Sequence, residues 1–149
     1  MKKVLVIAVV AVIGVVGWRV HARHHAQDRD KNVLLDRLWL DHVPGHEREP
    51  FNVLALLSEQ HVGVVQNMTA YRGSYELFRF TRDGWKYPQT GDTDRPSIRV
   101  RRCSENGMDF CLDITGNSRG VHHYYSRKDW VIDSLAGEQA LVDQLSARP

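Results

Sequence analysis

Residues 97–115, SIRVRRCSENGMDFCLDIT, constrain the fold more than any other stretch. Two runs alternate with period two, the signature of half-buried strands. Ile98, Val100, Phe110, Leu112 and Ile114 form the apolar side. Arg99, Arg101, Cys103, Cys111, Asp113 and Thr115 form the other. Between the runs, Asn106-Gly107 is a hairpin turn signal. A slip by a single position would set Arg101 against Leu112 and mix the faces. Two registers keep the faces apart. A short loop, Glu105–Gly107, opposes Arg99 to Asp113 and leaves the cysteines diagonal. A longer loop, Glu105–Asp109, opposes Cys103 to Cys111 and Arg101 to Asp113. The longer loop suits a disulfide better, because diagonal neighbours lie further apart.

The start of the chain bears on the state of those cysteines. Residues 4–18, VLVIAVVAVIGVVGW, carry no charge and follow Lys2 and Lys3. Such a run is either a membrane anchor or the apolar region of a signal peptide. It is shorter than the roughly 20 residues of a standard spanning helix. Trp18 and Arg19 suit a headgroup position, where the arginine can snorkel. Val20-His21-Ala22 offers a cleavage pattern, but Arg19 and Arg23 crowd it with positive charge. The expectation is an uncleaved anchor, with the domain in the periplasm or outside. The alternative is a chain secreted after cleavage. In an oxidising compartment, Cys103 and Cys111 on one face of one hairpin are expected to pair. The organisation expected is a signal anchor or signal peptide at 1–25, a juxtamembrane linker at 26–32 and a β domain at 33–149.

That domain reads as strand after strand. The runs are 33–41, 51–60, 62–73, the pair flanking Asp83-Gly84, the cysteine hairpin, and VHHYYSRKDWVI at 121–132. Short strands with turn residues at this spacing point to a mainly β antiparallel meander, a barrel or sandwich. VLALLSEQ, 53–60, is also compatible with a helix, since a short apolar run does not settle the period. SLAGEQALVDQLSA, 134–147, predicts a short C-terminal helix. Asp133 or Ser134 caps it, and Leu135, Val142 and Leu145 lie along one side.

Composition and motifs exclude more than they identify. Four of the 20 Lys and Arg residues flank the apolar run, so the rest of the chain is slightly acidic against its 18 acids. That is no electrostatic footprint for nucleic acid. No GxSxG, HExxH or phosphate-cradling glycine loop is present, so no catalytic residues are assigned and an enzyme is not expected. No cofactor and no metal site are expected either. His21, His24 and His25 read as a polar collar, and His42 and His46 as solvated loop residues. His122 and His123 are strand neighbours and face opposite ways. Arg99 and Arg101 are candidates for binding an anion, because guanidinium groups grip phosphate and carboxylate bidentately.

The order of anchor, Trp-bearing first strand, β-meander and C-terminal helix resembles the lipocalin-like (calycin) barrels. Trp39 in RLWLD and Arg127 in YYSRKDW are the residues that carry the resemblance. In that family a Gly-x-Trp on the first strand packs beneath an arginine near the end of the barrel. Here Arg37 stands at the glycine position. The resemblance implies a barrel or half-barrel plugged by Trp39 stacked under Arg127. Among the aromatic residues that could line a cavity, Tyr125 is a further ligand or core-plug candidate beside these two. The stretches MDFCLDITG and RGVHHYYSRKDW also resemble the ends of small bacterial exported and membrane-anchored proteins. Two functions are therefore expected in competition. One is a membrane-tethered envelope domain that binds a lipid or small apolar ligand. The other is a non-enzymatic structural or protein-interaction module with a filled core.

Overall fold

The computed structural model describes residues 33–146, and the apolar run at 4–18 and the histidines at 21, 24 and 25 lie outside them. The described residues form nine antiparallel strands in one curled sheet, a half-barrel, and one helix. The strands are β1 (Leu38–Leu40), β2 (Phe51–Leu57), β3 (Val62–Met68), β4 (Gly73–Thr81) and β5 (Gly84–Lys86). They continue with β6 (Thr93–Asp94), β7 (Ser97–Arg102), β8 (Phe110–Thr115) and β9 (His123–Ser126). Helix α1 spans Leu135–Ser146. The sheet order is β6-β5-β4-β3-β2-β1-β9-β8-β7.

The two edges of that sheet, β6 and β7, are consecutive in the chain, joined only by Arg95-Pro96. Two linking residues allow at most about 11 Å between the flanking Cα atoms, so the sheet has to curl. β6 and β7 behave as two halves of one bent strand. The first half pairs with β5 and the second with β8. Pro96 lacks the N–H that would continue a ladder through the bend. Gly84 is required at the same corner: a Cβ there would lie 2.2 Å from the Asp94 carbonyl oxygen. The Asp83-Gly84 signal thus marks a real hairpin, although the glycine serves close approach to β6.

The run at 51–57 is a strand, because its residues pair in register with β3 from Phe51↔Met68 to Leu57↔Val62. The first strand is shorter than the sequence pattern predicts. Asp36 adopts a left-handed φ of 53°, which no extended strand tolerates. The turn lets the Asp36 carboxylate accept from the Ser58 amide (2.8 Å) and hydroxyl (2.5 Å). Register then sorts the side chains. Leu38, Leu40, Phe51 and Val53 face α1 and pack with Trp130, Val142 and Leu145. Trp39 and Leu54 are paired on the opposite, concave face. That face also carries Leu56, Phe78, Trp85, Leu112, Ile114 and Tyr124, each at most 4% exposed.

Helix α1 starts where expected. Ser134 caps it, its hydroxyl accepting from the Gly137 amide at 3.1 Å. Val142 and Leu145 are buried, but Leu135 is 43% exposed, a correction to the expected apolar side. Glu138 takes the buried place one turn on, at 2% exposure.

Candidate functional site

The cysteine hairpin adopts the register of the shorter loop. Arg99 opposes Asp113 and Arg101 opposes Cys111. Cys103 and Cys111 are nevertheless joined as a disulfide, with Cα atoms 5.8 Å apart. This corrects the expectation that a disulfide favours directly opposed cysteines. Regular pairing stops at Arg102↔Phe110, and a 3-10 turn at Glu105–Gly107 follows. Asn106 and Gly107 are both left-handed there, at φ 54° and 70°. The Cys103 amide still donates to the Asp109 carbonyl at 3.1 Å, so Cys103 keeps the register and reaches Cys111 across the diagonal.

Arg99 and Arg101 lie on the outer face of β7, as the alternation requires. Arg101 reaches Glu105 at 3.0 Å and Asp113 at 3.9 Å. His123 Nδ1 lies 2.7 Å from the same Asp113 carboxylate. These side chains, with Cys111 and Tyr125, line a shallow cavity of about 420 Å³. An incoming anion would compete with two carboxylates for Arg101. His122 is turned elsewhere, its Nδ1 3.0 Å from Asn117 Oδ1. His42 lies 3.1 Å from both Asp41 and Glu49. Among the described residues, no three His, Cys, Asp or Glu side chains come together as a metal site. No described helix is long and apolar enough to cross a membrane.

Trp39 and Arg127 do not stack, which corrects the pairing drawn from the lipocalin resemblance. Trp39 is fully buried on the concave face, and its indole N–H donates to the Leu34 carbonyl at 3.0 Å. Arg127 follows β9 and lies over Trp130, 5.4 Å from the ring centre. Trp130 belongs to the core beneath α1 with Leu38 and Leu40, so the two residues serve opposite sides of the sheet. Tyr125 also packs on the α1 side, opposite Leu40.

Two other arginines cap the half-barrel. At one end Arg37, 9% exposed, lies 4.6 Å over Phe110 and donates to the Arg127 carbonyl. At the other end Arg119, in the β8–β9 connection, lies 4.1 Å over the Tyr87 ring. Arg119 donates to Glu76 (3.0 Å), Asp92 (2.9 Å) and Thr90 (3.0 Å), tying β4 to the β5–β6 loop. Its bonds to Glu76 and Asp92 raise its pKa, and its bond to Asp92 lowers that of the carboxylate. Its loop is pinned by Ser118, whose amide (2.7 Å) and hydroxyl (2.9 Å) donate to Asp94 Oδ2 on β6. Beside it an open cleft of about 260 Å³ is lined by Asn52, Asn67, Ser74, Glu76 and Arg119. Asn67 donates to Asn52 (3.1 Å), and Asn52 in turn donates to Asp41 (2.8 Å). Neither capping arginine stands out in sequence; Arg37 marks only a departure from Gly-x-Trp.

The chain matches no protein-family model, no curated protein and no solved structure.

Proposed function

We propose that the domain is a non-enzymatic interaction module of the cell envelope that works through its surface. The carrying observation is the concave face. Trp39, Leu54, Phe78, Leu112, Ile114 and Tyr124 each keep at most 1% of their surface accessible. A side chain lining a cavity wide enough for a fatty acid retains accessible surface, because ligand cavities run to several hundred Å³. Rings also fill the curl, with Phe78 and Trp85 stacked at 4.6 Å and Phe78 and Tyr87 at 5.3 Å. The Trp-bearing first strand, meander and outer helix support a lipocalin-like outline. The filled interior favours a use other than carrying a lipid. The apolar run at 4–18 supports tethering to a membrane, and the disulfide supports an oxidising compartment.

The test is an NMR titration of the full chain in detergent micelles with a fatty acid, following the indole N–H signals of Trp39 and Trp85. Both signals should stay in place. Saturable shifts of both would replace this reading with the apolar-ligand one.

A further inference from the structure

We propose that the outer edge of β7 binds an extended acidic peptide as an added strand. This rests on the interaction-module reading and names its surface and partner class. β7 has six residues, so its edge runs for roughly 20 Å. Among the described residues it pairs with β8 alone. The Cys103 amide donates to the Asp109 carbonyl, in line with the β7–β8 register. Alternation from that bond places the N–H and C=O groups of Ser97, Arg99 and Arg101 toward β8. Those of Ile98 and Val100 point off the sheet. Among the described residues no backbone bond covers them. Ile98 is also one of the few large apolar side chains left exposed, at 36%.

Exposed edges invite strand addition, and proteins ordinarily blunt them. Here no proline or bulge interrupts Ser97–Arg102. Arg99 and Arg101 both stand on the outer face of the sheet, so they filter partners by charge and leave the edge sterically open. From Arg95 to Arg102 the chain carries four arginines and no acid, and an acidic strand would exchange with Glu105 and Asp113 at Arg101. A second copy would set Arg99 and Arg101 against their own kind, which is destabilising across a strand pair. An acidic strand meets the opposite condition. The alternation of β7 also dictates the pattern of the partner. Acidic residues would lie beside Arg99 and Arg101 on the outer face, and apolar residues beside Ile98 and Val100 on the concave side. Main-chain bonds then supply affinity and alternate side chains supply specificity, the general logic of β-strand addition.

The test uses a fluorescent octapeptide of alternating Glu and Val, titrated into the full chain in micelles and read by anisotropy. The alternating Glu–Val peptide should bind about tenfold or more tightly than an alternating Lys–Val peptide, and the difference should shrink with salt. A block peptide of the same Glu and Val content should bind weakly. Methylating alternate backbone nitrogens of the peptide should abolish binding, and this control needs no altered protein. Val100→Pro removes an amide hydrogen that no β8 residue accepts; it should abolish binding while the Trp39 indole signal stays in place. Absence of saturable binding, or binding indifferent to backbone methylation, would overturn the edge proposal. The interaction-module reading would survive that result, since it fails only if a fatty acid enters the concave face.

Discussion

Arg119 and Tyr87 form the contact that closes one end of the half-barrel, with the guanidinium 4.1 Å from the ring centre and its donors on Glu76 and Asp92. The contact joins the β8–β9 connection to the β5–β6 side of the curl. Among the described residues, no strand pairing joins the two sides there.

Arg119→Met should therefore destabilise the domain by about 1–3 kcal/mol, because it leaves the half-buried Glu76 without its partner. Arg119→Lys keeps the charge but loses the planar fork and the ring stacking, so it should recover only part of that loss. In a double-mutant cycle with Tyr87→Leu, urea unfolding should report clear coupling. Additive single effects would mean that the stack contributes nothing.

The corrected placement of Trp39 makes a contrasting prediction. Trp39→Ala should cost about 3–5 kcal/mol, the range for a large aromatic removed from a packed core. Its coupling to Arg127→Ala in the same urea assay should be close to zero, since the two side chains lie on opposite sides of the sheet. Strong coupling would restore the pairing that the lipocalin resemblance implied.

Glu138 gives the domain a pH dependence. Burial, aided by repulsion from Asp143, pushes its pKa up from an ordinary 4.5 to about 7. The folded state then holds a proton that the unfolded state releases between those values. Stability falls as pH rises from about 4.5 through about 7, by on the order of 1–3 kcal/mol from this group. Glu138→Gln resembles the neutral acid, so it should flatten that slope and raise stability at pH 8. Urea midpoints measured from pH 4.5 to pH 8 for both proteins check this. An unchanged slope in the variant would place the pH dependence elsewhere.

The sequence revealed faces more readily than contacts. Period-two alternation placed Arg99, Arg101 and Cys111 on one side of the cysteine hairpin and Leu112 on the other, because any slip in register would have buried an arginine. The same rule set Leu38 and Leu40 against Trp39. It carried no information about which distant loop would fold over which ring. The structure caps aromatic rings with other arginines than Arg127 on Trp39. The choice of Arg37 and Arg119 depends on where β1 and the β8–β9 connection end in space. The diagonal disulfide was hidden for a different reason: Asn106-Gly107 advertises a left-handed turn, but both loop lengths contain that pair, so the turn signal alone does not choose the register. Leu135 fits the helical stripe in sequence, yet it stays exposed at the start of the helix while Glu138 is buried. The open edge of β7 was invisible until the topology placed the strand at the end of the sheet.

The most direct test of a sealed interior beside an open edge is residue-resolved hydrogen exchange of the full chain by NMR. The Trp39 indole N–H should exchange only with global unfolding, because it is hydrogen-bonded to Leu34 in a fully buried site. The Arg99 and Arg101 amides, directed at β8, should be protected. The Ile98 and Val100 amides should exchange near unprotected rates. Rapid exchange at the Trp39 indole would contradict the filled half-barrel, and protection at Ile98 and Val100 would mean that the edge is already covered.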